Sequence, residues 1–120
     1  MKPSRLALGA FTALALAAHA EAPAGDAARG RSLYMKNLCY TCHGTVGQGG
    51  DRGSGPRLAP NPFPWEAFAQ QTRRPREQMP RYPAQFVSDQ DLADMYAYLR
   101  SVKPSPAVAN IPQLNFEDKR

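Results

Sequence analysis

Cys39-Tyr40-Thr41-Cys42-His43 is the stretch on which the reading of this sequence turns. Two thiols stand one helical turn apart, and a histidine follows the second. This is the C-x-x-C-H spacing of covalent haem attachment. Thiols so spaced can add to the two vinyl groups on one edge of a porphyrin. The imidazole that follows is then held under the metal, where its neutral nitrogen can bind iron. Other readings of the same five residues fit less well. A thioredoxin-like Cys-x-x-Cys sits near a βαβ pattern, and no strand-rich run precedes Cys39. A structural disulfide would leave His43 as an accident. A structural zinc site needs four ligands, and the sequence has no second Cys/His pair.

Residues 1–20 have the layout of a secretory signal. Lys2 and Arg5 form the positive start, Leu6 to Ala18 the apolar run, and Ala18-His19-Ala20 the cleavage site. The run is shorter than the ~20 apolar residues that span a bilayer. Cleavage is therefore expected, with no stable membrane span, a domain over 21–103 and a tail over 104–120. The expected compartment is the periplasm, because c-type haem is attached outside the cytoplasm. An oxidising compartment would otherwise favour a disulfide between the two cysteines. Cleavage removes His19, so His43 becomes the only histidine and two-histidine ligation from within the chain is impossible. Loss of Lys2 and Arg5 takes the formal charge from +5 to +3. Nucleic acid is not an expected partner for so nearly balanced a domain.

Helical signals lie on both sides of the pentapeptide. Asp26 can cap a first helix from about Ala27 to Leu38, with Gly30, Leu33, Tyr34, Asn37 and Leu38 on one face. A glycine inside a helix costs ~1 kcal/mol against alanine, and close approach of another helix would give Gly30 a reason to be there. Pro64 suits the first position of a short second helix running to about Thr72, with Trp65, Phe68 and Thr72 sharing a face. The last helix is the clearest. Ser88 and Asp91 form a capping-box pattern, and Val87 and Leu92 can staple its start. Leu92, Met95, Tyr96, Leu99 and Val102 make a buried stripe. Asp89, Asp91 and Asp94 lie near its positive end and Arg100 and Lys103 near its negative end, before Pro104 stops it. From Ser105 onward no period is visible. Ile111, Leu114 and Phe116 leave two readings of this tail, an arm on the domain or a partner, and a disordered end.

From about Asp26 to Val102 the chain resembles the class I c-type cytochromes, small monohaem electron carriers. The resemblance rests on Cys39 to His43, on Gly30 and Tyr34 as a G-x-x-x-aromatic pattern, on Gly55-Pro56-Arg57-Leu58 as a G-P-x-L element, and on Met79-Pro80. It implies an all-α fold in which three to four helices wrap one haem c bound through Cys39 and Cys42. The N- and C-terminal helices would cross, with Met95 and Tyr98 meeting Gly30 and Tyr34. It implies that the Pro56 carbonyl accepts from Nδ1 of His43, which would fix the ring, and that Leu58 packs against the porphyrin. Met79, 36 residues after His43 in a segment broken by Pro75, Pro80 and Pro83, would be the second axial ligand. A Met/His pair raises the reduction potential. Tyr82 would stand against the haem, and Arg57 belongs to the same cofactor-binding set. Trp65 has two readings, a propionate donor and plain core. Of the other methionines, Met35 precedes Cys39 on the proximal side, Met95 lies on the buried stripe, and Met1 leaves with the signal.

Gly44, Gly47, Gly49, Gly50, Gly53 and Gly55 form a glycine-rich loop that matches neither the P-loop nor the dinucleotide pattern. A flexible passage along the haem edge is expected instead. Arg73, Arg74, Arg76 and Arg81 have three readings: propionate neutralisation, docking of an acidic partner, and a solvated face. The function expected is one-electron transfer between redox partner proteins, without a catalytic acid, base or nucleophile. One alternative is the cytochrome subunit of a periplasmic dehydrogenase or oxidoreductase complex, on the likeness of Met79 to Pro83 and of the tail. Another, if Met79 does not bind, is an open iron for peroxide or gas ligands. The small chain and the central haem together predict a poorly folded apoprotein.

Overall fold

Among the described residues, four α-helices organise the computed structural model: α1 (Ala27–Lys36), α2 (Tyr40–His43), α3 (Trp65–Arg73) and α4 (Asp89–Ser101). Two 3-10 turns follow, Val108–Asn110 and Pro112–Leu114. The structure describes residues 21–51 and 54–114, and no strand occurs among them. The expected signal over 1–20, Gly53 and the end of the tail with Phe116 lie outside the described residues. The all-α expectation holds.

α1 starts where Asp26 puts it. The Asp26 carboxylate accepts from the N–H groups of Ala28 and Arg29, at 2.8 and 3.0 Å. The helix ends at Lys36, two residues earlier than expected. Leu38 adopts φ 60° and leaves its side chain 57 % exposed, so it does not belong to the buried face. The left-handed step turns the chain into α2, and the Cys39 N–H reaches the Tyr34 carbonyl at 3.1 Å.

α1 and α4 cross as expected, and Gly30 is the reason they can. A Cβ there would overlap the Asp94 carbonyl and stand 2.9 Å from the Met95 nitrogen. One turn on, the rings of Tyr34 and Tyr98 pack at 5.5 Å. Their hydroxyls reach past the crossing. Tyr34 donates to the Gly44 carbonyl at 2.9 Å and Tyr98 to that of Thr45 at 2.8 Å.

At the start of α4 the capping box is complete. Asp91 N–H donates to the Ser88 hydroxyl at 3.1 Å, and Ser88 N–H donates to the Asp91 carboxylate at 2.9 Å. Val87, Leu92, Met95 and Leu99 are buried with Tyr34, Ala59 and Tyr98 in one cluster. Asp94 does more than face the helix dipole. It is buried, accepting from Asp26 N–H at 2.8 Å and from the Gln90 amide at 2.9 Å. The Arg29 guanidinium bonds both Asp94 and Asp91. Burial alone would raise the Asp94 carboxyl. These donors outweigh it and hold the group below the usual carboxylate range.

α3 begins at Trp65, with Pro64 in the cap position rather than as the first helical residue. Trp65, Phe68 and Tyr96 form an aromatic group with ring separations of 5.1 to 6.3 Å. Trp65 is half-buried against the core cluster, a packing that agrees with its core reading and leaves the propionate reading open. The tail forms its two short turns without a buried residue.

Candidate functional site

The pentapeptide folds as a single helical turn. Cys39 takes the position before the first helical residue, Cys42 and His43 lie within the turn, and Gly44 ends it at φ 78°. Both thiols are free and half-buried. His43 is only 8 % exposed. Its Nδ1 lies 2.9 Å from the Pro56 carbonyl oxygen. A carbonyl can only accept, so Nδ1 carries the proton and Nε2 keeps its lone pair for a metal.

The segment that brings Pro56 under the ring must pass very close to α2. A Cβ at Gly55 would stand 2.5 Å from the Cys42 oxygen and 2.9 Å from His43 Nδ1. Gly50 passes the same carbonyl and would not tolerate a Cβ either. The loop is tied rather than flexible. Gly49 N–H donates to His43 O at 2.9 Å, and Gly50 N–H to Gly55 O at 3.0 Å. The Gly47 carbonyl accepts from Leu58 and Ala59, at 2.8 and 2.9 Å. Leu58 is thereby set, half-buried, against the core cluster. Arg57 is exposed and donates to the Gln48 carbonyl at 3.4 Å.

On the other side, residues 74–88 leave α3, carry Met79 and return to α4. Met79 is half-buried, and the Gln71 amide donates to its sulfur at 3.7 Å. Tyr82 brings this loop back to the thiols. Its N–H donates to Thr72 O at 3.1 Å and its hydroxyl to Asn37 O at 2.9 Å. Burial pushes the Cys39 thiol up to about 11, with the adjoining Tyr82 hydroxyl acting the other way. Burial, then Cys39, pushes the Tyr82 hydroxyl up to about 12. Arg73 departs from the arginine group expected on the surface. It donates to the carbonyls of Tyr82 and Val87, both at 2.7 Å, and to Asp89 at 2.6 Å. Arg74, Arg76 and Arg81 remain exposed. Met95 is buried in the core and Met35 packs beside it, which leaves Met79 as the thioether outside that packing.

The roles of Gln71, Asn37 and the Arg73 clamp were not read from the sequence. The Asn37 carbonyl accepts from Tyr82, Gln71 donates to a sulfur, and Arg73 donates mainly to two carbonyls, pairings that residue types do not announce. A helix-terminal arginine followed by a proline-broken loop, with carbonyls lacking helical partners, was the available signal.

The donor set fits a haem. Among the described residues no cluster of three or more His, Cys, Asp or Glu could hold a bare metal ion. One oriented imidazole beside two free thiols instead suits an iron that arrives with its own equatorial nitrogens, in a ring the thiols can bind.

Crossed terminal helices, a C-x-x-C-H turn and an imidazole anchored through Nδ1 define a c-type cytochrome domain. A model of the family described as cytochrome c oxidase, cbb3-type, subunit III matches residues 25–99, and the chain belongs to that family. Such a domain is an electron-transfer module that carries covalent haem c. No curated protein and no solved structure matches the chain.

Proposed function

We propose that this chain is a periplasmic one-electron carrier with one haem c, of the His/Met-ligated class I type. Cys39 and Cys42 hold the ring covalently, and His43 and Met79 are the axial ligands. Bound there, the haem supplies reversible one-electron chemistry. The chain's own residues orient and enclose it. The observation that carries the reading is the Nδ1 contact of His43 with the Pro56 carbonyl at 2.9 Å. It fixes the tautomer and ring plane that a proximal ligand needs and raises its basicity. Met79 is supported by its place on a loop that Tyr82 returns to Cys39, and by the commitment of Met35 and Met95 to packing. Leu58 and Tyr82 would border the ring. Export rests on the signal-like residues 1–20.

The family's description names an oxidase subunit, which supports a second reading, a subunit or partner of a larger redox complex. A terminal oxidase and a periplasmic dehydrogenase are the two classes of partner this reading names. Exposed Arg74, Arg76 and Arg81, near Met79 in sequence, suit an acidic docking face. Among the described residues no helix is long and apolar enough to cross a membrane.

The test is expression of the whole chain with haem-maturation machinery, followed by mass spectrometry and ferric spectroscopy. One covalent macrocycle per chain and a sulfur-to-iron charge-transfer band are expected, and Met79→Ala should abolish the band. An unmodified chain would refute the haem reading. A wild-type protein without the band that binds carbon monoxide rapidly when reduced would replace Met79 ligation with an open iron.

A further inference from the structure

Arg73 sits where electron transfer alone does not require an arginine. It is the last residue of α3, and its side chain is only 20 % exposed. Nη1 donates to Tyr82 O and Val87 O at 2.7 Å, and Nη2 to Asp89 at 2.6 Å. One guanidinium thus ties the start of loop 74–88 to its middle and its end. The loop's other ties are the Gln71 amide on Met79 and the two hydrogen bonds of Tyr82, to Thr72 and Asn37. Between 75 and 81 the only regular feature of the main chain is a turn at Glu77 and Gln78. Residues 76–78, 80 and 81 are exposed, and Glu77 adopts φ 58°.

We propose that Arg73 is a positioning residue that sets how readily Met79 leaves the iron. The inference rests on Met79 being an axial ligand. A methionine on a slack loop spends more time off the metal, and an external ligand then competes better, since its apparent affinity scales with the open fraction. The planar fork of arginine serves two carbonyls and a carboxylate at fixed angles, which the single ammonium of lysine does not reproduce. The Asp89 carboxylate is 83 % exposed, so that ion pair adds little. The two carbonyl bonds carry the clamp.

The experiment is a titration of the ferric holoprotein with imidazole, read as loss of the sulfur-to-iron band. Arg73→Gln should bind imidazole roughly ten- to a hundredfold more tightly than the parent, the scale set by two charged hydrogen bonds. Arg73→Lys should lie close to Arg73→Gln, and it stands in for that variant if Arg73→Gln does not mature. Asp89→Asn should stay within about twofold of the parent. Asp26→Ala removes the cap of α1 without touching the loop. It should lower thermal stability and leave imidazole affinity unchanged. The proposal is overturned if the Arg73 variants bind imidazole like the parent, if Lys restores parental affinity, or if Asp26→Ala moves the affinity as much. A parent without the band would instead overturn Met79 ligation itself.

Discussion

Gly30→Ala sets two effects of opposite sign against each other. Inside a helix alanine is favoured over glycine by ~1 kcal/mol. Against this, the new methyl would overlap the Asp94 carbonyl and stand 2.9 Å from Met95 N. Both belong to the main chain of α4, which cannot rotate away as a side chain would. Restoring a normal separation of ~3.5 Å requires α1 to retreat by more than about 1 Å. Overpacking of this kind costs about 1–3 kcal/mol, and the backbone origin of the clash argues for the upper end. Retreat also loosens the Tyr34–Tyr98 pair at 5.5 Å, worth about 0.5–1.5 kcal/mol beyond its burial. The balance is a net loss of roughly 2–3 kcal/mol. For a domain of this size the melting temperature should fall by roughly 10–20 °C. Thermal unfolding of the ferric holoprotein by far-UV circular dichroism reads it. Ser32→Ala, on an exposed position of the same helix, tests propensity alone and should change stability by less than about 0.5 kcal/mol. If Gly30→Ala proves as stable as the parent, the helices are not in the contact described and the reasoning fails.

Asp94 and Asp91 are held below the ordinary carboxylate value of 3.8. Their stabilisation is therefore fully present above that value and is lost as pH falls through the depressed folded values. Urea midpoints of the parent should drop more between about pH 7 and about pH 3 than those of Asp94→Asn; equal drops would count against it. Ser88→Ala removes the hydroxyl that accepts from Asp91 N–H at 3.1 Å. It should cost ~1 kcal/mol, seen as a lower denaturant midpoint at unchanged slope. The haem-free variant Cys39→Ser/Cys42→Ser should lose its near-UV ellipticity and a cooperative melt, because so small a chain buries little without its cofactor. A sharp native-like transition would contradict that.

α4 was the most legible element because its signals are local. Ser88, Asp91, Val87 and Leu92 sit within five residues of one another, and the structure uses each as read. The start of α1 was legible for the same reason, through Asp26. Its end was not. Leu38 is driven into a left-handed conformation that costs roughly 1–2 kcal/mol, and the demand comes from placing Cys39 on α2, not from the helix's own sequence. Asp94 was read as a dipole partner because its neighbours in sequence suggest one. Beside Gln90 on its own helix, its donors are Arg29 and the Asp26 N–H at the start of α1, 65 or more residues away. Arg73 was read with three surface arginines because two of its acceptors are carbonyls, which every residue carries. The glycine-rich loop was read as a flexible passage along the haem edge. It did not announce that the passage would be hydrogen-bonded, since the bonds are made by main-chain atoms. The contact of His43 with Pro56 was reached through family resemblance alone, and again its acceptor is a carbonyl.

The two sides of the candidate haem site are held by different parts of the molecule. The proximal side depends on the helix crossing itself. Tyr34 and Tyr98, the residues that pack where α1 meets α4, donate to Gly44 and Thr45, the two residues directly after His43. Burial pushes the Tyr34 hydroxyl far above its usual range. A change that separates the helices therefore pulls on the strap behind the imidazole, and fold and proximal ligation fail together. The distal side is fastened through Arg73, Tyr82 and Gln71, whose partners are Val87 and Asp89 at the start of α4, Asn37 at the end of α1, and Met79 itself. On the proposed ligation, the histidine side is tied to the crossing through Tyr34 and Tyr98, and any adjustability belongs to the Met79 loop.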